Sequence, residues 1–109
     1  MTKIAVKKVN DRYMLNVNGH SGSGTFGNDI VCAAVSTLAF TWINELKVLE
    51  EKGMVEHFTY NQTEACLNIM FKGESAPVKT AFETILTGFS MLEEHYPDFV
   101  RISRGELFF

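Results

Sequence analysis

The feature that most restricts how this chain folds is the run Ile30 to Glu51. In it Val31, Val35, Leu38, Trp42, Ile43, Leu46 and Leu49 recur at steps of three and four. That spacing draws one apolar stripe along a helix, and Gly53 marks its end. A helix with one apolar stripe is stable only against a second layer, so the rest of the chain has to supply a surface for it.

The flanking segments read as that surface. Residues 3–9 (KIAVKKV) and 12–18 (RYMLNVN) alternate in polarity around Asn10-Asp11, which predicts a hairpin with Tyr13, Leu15 and Val17 on one face. Residues 54–60 and 64–71 predict a second hairpin around Asn61-Gln62, with Ala65, Leu67, Ile69 and Phe71 on one side. A second helix follows from about Ala76: Ser75 can cap it and Pro77 sits in its first turn. Val78, Phe82, Ile85, Phe89 and Leu92 form its stripe until Pro97 ends it. Phe99 to Ser103 predicts a last short strand.

The order ββαββαβ predicts an α+β fold, a two-layer sandwich with two helices packed on one face of a mostly antiparallel sheet. At 109 residues, residues 1–109 are expected to form a single domain. The other sheet face is left open. Met14, Met54, Phe58 and Tyr60 are expected to add apolar surface there, which a symmetric dimer would cover.

The net charge of -3 argues against nucleic acid as a direct partner, because phosphate binding is dominated by Lys and Arg. The nearest basic groupings, Lys7-Lys8 and Arg101 with Arg104, read as solvated strand faces. The N-terminus lacks an apolar signal segment, and no run approaches the roughly twenty apolar residues of a membrane span, so a cytoplasmic location and no membrane partner are expected. Cys32 and Cys66 are then expected as thiols rather than a disulfide, and neither has metal-ligand spacing.

Between the first hairpin and the long helix lies GHSGSGTFGNDIVCAAVS, Gly19 to Ser36. Gly22-x-Gly24-x-x-Gly27 spells a dinucleotide fingerprint, flanked correctly by strand and helix. Its surroundings oppose that reading. The next strand ends in Tyr60-Asn61 rather than an acidic residue, the chain is short for a cofactor cleft, and no Gly-Lys-Ser/Thr follows.

The same run also reads as a thiol site. With Asp29 as N-cap, Cys32 falls in the first helical turn, where backbone N–H groups favour a thiolate and can stabilise an oxyanion. His20, at the end of the strand, is the histidine nearest in sequence, and a glycine-rich loop lets it fold back as the base. Asp29 is able to orient His20 or simply cap the helix. Ser36 lies one turn after Cys32. Bland readings stand beside these: a small buried thiol, a surface histidine, a plain cap. Cys66 reads as structural, and His57 and His95 as surface residues.

Gly19-His20, a small-residue loop and Gly27-x-Asp29-Ile30-Val31-Cys32-Ala33-Ala34-Val35-Ser36 together closely resemble the signature of the ribosomal-processing cysteine protease family Prp, also known as YsxB-like proteins. The resemblance covers the whole chain. It implies a cysteine endopeptidase that removes the N-terminal extension of a bacterial large-subunit ribosomal protein, the twenty-seventh, cutting after an apolar segment with paired Phe. It implies a catalytic dyad of His20 and Cys32, with Asp29 and Ser36 matching further family positions. The loop carrying Gly22, Gly24, Phe26 and Gly27 is implied to be a mobile cover.

Family members are similar in forming homodimers, and no cofactor or metal is implied. His20-Ser21 replaces a common His-Ala. The ending Glu106-Leu107-Phe108-Phe109 resembles a product end, so that tail is a candidate occupant of the site. The alternative function is a noncatalytic ribosome-assembly factor that binds the same extension.

Overall fold

The computed structural model describes residues 1–19 and 29–103. The elements are β1 (Thr2–Val9), β2 (Arg12–Asn18), α1 (Ile30–Glu51), β3 (Glu56–Thr63), β4 (Cys66–Lys72), α2 (Ala76–His95) and β5 (Val100–Ser103), the expected ββαββαβ order. One sheet runs β3-β4-β2-β1-β5. Its β3–β4, β4–β2 and β2–β1 ladders are antiparallel, and β1–β5 is parallel because α2 carries the chain back across the sheet.

The helical stripe packs as its spacing requires. Val31, Val35, Ala39, Trp42, Ile43, Leu46 and Leu49 are buried on α1, with Leu38 partly so; α2 buries Val78, Phe82, Ile85 and Phe89. The two layers are joined by an aromatic node. Tyr13 of β2 stacks on Phe71 of β4 at 4.7 Å, and Trp42 of α1 and Phe82 of α2 close on that pair at 5.3 and 4.9 Å. Aromatic pairs at such distances add about 0.5–1.5 kcal/mol each beyond their burial.

α1 stops where expected and by a defined device. Gly53 has φ +74, its N–H donates to the Glu50 carbonyl, and the Met54 N–H donates to the Leu49 carbonyl. These are the paired bonds of a Schellman end, which needs a left-handed residue at this position. By length and composition alone, α1 is long and apolar enough to cross a membrane. This corrects the reading that no run approaches a span. Its apolar stripe lies in the core shared with the sheet.

Three local readings are corrected. The second hairpin turns at Glu64-Ala65, not Asn61-Gln62, because Thr63 pairs with Cys66 and Asn61 pairs with Asn68 inside the ladder. The polar Asn-Gln pair is tolerated in strand because β3 is an edge strand and both residues are exposed. Ser75 occupies the N-cap of α2 without a side-chain capping bond. Pro77, at the second helical position, has no N–H to donate to it.

Phe58 and Tyr60 do not lie on the open face. Tyr60 pairs with the buried Ile69, its ring stacks on Phe58 at 5.9 Å, and Lys47 of α1 sits 5.7 Å from the Tyr60 ring. Period-two alternation therefore puts both on the helix side. Met14, facing Met70 across the β2–β4 ladder, remains on the open face, whereas Met54 falls in the turn before β3.

Candidate active site

Asp29 is the N-cap of α1, with extended backbone (φ -81, ψ 99), and its Oδ1 accepts the Cys32 N–H at 2.9 Å. The Asp29 carbonyl accepts the Ala33 N–H at 3.1 Å, starting the helical ladder. Cys32 is thereby held in the first turn of a 22-residue helix, half-buried. The cap changes one expectation. The Cys32 N–H is taken by Asp29, so among the described residues the first-turn donors left outside the cap and the ladder are those of Ile30 and Val31.

Cys32, Ser36 and Phe40 follow at steps of four on one side of α1, and all three border a cleft of about 570 Å3. Val17, Val35, Ala39 and Leu67 add apolar wall, while Asp29 and Glu64 bring carboxylates. The opposite side is built by the sheet. Asn18 at the end of β2 pairs with Cys66 at the start of β4, and the Gly19 N–H donates to the Ala65 carbonyl at 2.7 Å. This bond fixes the end of β2 against the β3–β4 turn, so Gly19 lines the same cleft as Cys32.

Gly19 is held there by its own geometry. Its φ is +89, and a Cβ at that position would stand 2.6 Å from the Met1 carbonyl oxygen. Only glycine meets both conditions without strain. The described residues thus bring Gly19, Asp29, Cys32 and Ser36 to one cleft. His20, Gly22, Gly24, Phe26, Gly27 and the tail Leu107–Phe109 lie outside the described residues.

The structure adds residues that sequence reasoning missed: Thr2, Phe40, the 62–65 turn and Cys66 all line the cleft. Phe40 was detectable from its spacing to Cys32. Cys66 was not, because its place depends on the pairing of β2 with β4, 48 residues apart at Asn18–Cys66. Its Sγ accepts the Asn16 side-chain amide at 3.5 Å. Thr2 is 1% exposed, and its hydroxyl has no hydrogen-bond partner among the described residues. His57 and His95 are exposed, as expected. Among the described residues no cluster of His, Cys, Asp and Glu is suited to hold a metal.

Comparison with known proteins gives one consistent family. The family model described as cysteine protease Prp matches residues 1–101. Among solved structures, the chain is similar to an essential ribosomal processing protease Prp from S. aureus in complex with a covalently linked product peptide. The TM-score is 0.80 at 20% identity, covering 96% of this chain and 100% of the other. The same S. aureus protease with a substrate peptide aligns at TM-score 0.69 and 16% identity, with the same coverage. SMU.848 from Streptococcus mutans aligns at TM-score 0.72 and 28% identity, covering 95% of this chain and 93% of that one. Among curated proteins, none matches the chain.

Proposed function

The chain belongs to the Prp cysteine protease family, and from that premise we propose that it is an endopeptidase with Cys32 as nucleophile and His20 as its base. The observation that carries the reading is the meeting of Cys32, at the start of α1, with Gly19, the residue before His20, in one apolar-walled cleft. The Cys32 thiolate attacks the scissile carbonyl, and the Ile30 and Val31 N–H groups stabilise the resulting oxyanion. His20 takes the thiol proton and gives it to the departing amine, and water then hydrolyses the acyl-enzyme.

The proposed substrate is the N-terminal extension of the twenty-seventh large-subunit ribosomal protein, cut after an apolar segment with paired Phe. Two observations support it. The similar S. aureus protease is a ribosomal processing enzyme that holds substrate and product peptides. The cleft wall of Val17, Val35, Phe40 and Leu67 suits apolar side chains. Action in the cytoplasm and as a homodimer belongs to the same reading.

The test is mass spectrometry of that ribosomal protein incubated with wild type, Cys32→Ala and His20→Ala. Wild type releases the extension and both variants leave it intact while folding normally. Cleavage by either variant refutes the dyad, and an intact substrate with wild type refutes the substrate.

A further inference from the structure

The strand register collects cations that are scattered in the chain. Lys3 lies beside Arg101 across the β1–β5 ladder, Arg12 lies beside Lys72 across β2–β4, and Lys7 faces Met14. Each neighbours a residue buried beneath the helices: Ile4, Val100, Tyr13, Phe71 and Val6. Alternation therefore turns all five onto the open face of the sheet. Between them runs a row of amides, with Asn61 paired to Asn68 and Asn68 to Asn16, and Asn16 donating to Asn68 Oδ1 at 2.6 Å.

A groove of about 410 Å3 opens on this face, where Lys7, Arg12, Lys72 and His57 surround Met14 and Met70. Acids are kept to its margin. Asp11, in the β1–β2 turn, is 3.8 Å from Lys72, and Glu56 pairs with Lys72 at the sheet edge. Most of the remaining acids, Glu45, Glu50, Glu51, Glu83, Glu93 and Glu94, are on the helices. A net charge of -3 thus conceals a basic sheet face opposite an acidic helix layer.

We propose that this open sheet face binds RNA through its phosphate backbone. The five cations contact phosphates, Lys72 exchanging its 3.8 Å contact with Asp11 for one of them, and the Asn16–Asn68–Asn61 row offers donors and acceptors to ribose 2′-hydroxyls. Phe, Tyr and Trp are absent from the described open-face positions, so binding is expected to depend on salt and little on base sequence. An isologous pairing of two such faces would set cations against cations, which disfavours a second copy as the occupant. The inference is independent of the peptidase reading.

Fluorescence anisotropy with a labelled RNA hairpin and a labelled uridine oligomer tests it, using wild type and the surface variant Lys7→Ala/Arg12→Ala/Lys72→Ala. Circular dichroism checks the fold of both. Wild type is expected to bind either RNA, with affinity falling steeply as salt rises. The triple variant is expected to bind roughly tenfold or more weakly near physiological salt, with a log–log salt slope shallower by about two to three. Equal binding by wild type and a folded variant overturns the proposal, as does equal affinity of wild type for polyglutamate. If the variant fails to fold, Lys3→Ala/Arg101→Ala serves the same comparison. Dissociation of a dimer by the variant, with no RNA bound by wild type, would assign the face to a second copy and overturn it as well.

Discussion

Asp29 Oδ1 holds the Cys32 N–H at 2.9 Å, so the residue that caps α1 also fixes the thiol in the first turn. Capping stability and the placement of the nucleophile are therefore two readings of one bond. Asp29→Ala is expected to cost about 1 kcal/mol of folding stability and to lower kcat/KM on a peptide substrate. Asp29→Asn retains an acceptor oxygen and is expected to keep both near wild type. Denaturant melts and steady-state kinetics on the two variants check this; an Asn variant that melts normally but has lost activity would show that the carboxylate charge itself is needed.

Cys32 and Cys66 both border the cleft, but their side chains have different settings. Cys32 is at a helix start, while the Cys66 sulfur lies in β4 beside the Asn16 amide. Peptide mapping after brief iodoacetamide treatment at neutral pH is expected to find Cys32 alkylated well before Cys66. Similar rates at both would remove the special reactivity assigned to Cys32.

The left-handed glycines Gly19 and Gly53 separate backbone strain from steric conflict. Gly53→Ala meets no atom within 4 Å, so it is expected to cost only the left-handed penalty, about 1–2 kcal/mol. Gly19→Ala adds a clash with the Met1 carbonyl and is expected to cost more, and to reduce activity by displacing the start of the His20 segment. Equal costs in equilibrium unfolding would contradict the contact with Met1.

Trp42 is fully buried at the aromatic node, and its indole N–H has no hydrogen-bond partner among the described residues. Trp42→Ala is expected to cost about 3–5 kcal/mol through lost contacts and a cavity. Trp42→Phe keeps a ring against Phe71 and removes the unsatisfied donor, so it is expected to cost clearly less. Chemical denaturation of both variants decides the matter.

Much of this architecture was legible in the chain because its causes are local. The stripe from Val31 to Leu49, the Schellman glycine at position 53 and the Asp29 cap three residues before Cys32 all act within a few residues. The misplaced second turn shows the limit. Asn61-Gln62 has turn-forming chemistry, but pairing of Asn61 with Asn68 and of Leu67 with Val17 moved the turn to Glu64-Ala65. Ser75 sits at the expected cap position, yet the neighbouring proline left its hydroxyl no N–H at the second helical position to accept from.

By itself, then, the sequence determined the kinds and order of the elements, the end of α1 and the presence of a cysteine in its first turn. Each follows from backbone geometry and hydrogen bonds between near neighbours. The tertiary structure alone decided that Gly19, Cys32 and Cys66 share a cleft and that Lys3, Lys7, Arg12, Lys72 and Arg101 share a face. Those groupings depend on strand register between distant segments. Register is selected by which side chains are buried against α1 and α2, and a one-residue slip would turn every one of these cations to the opposite side.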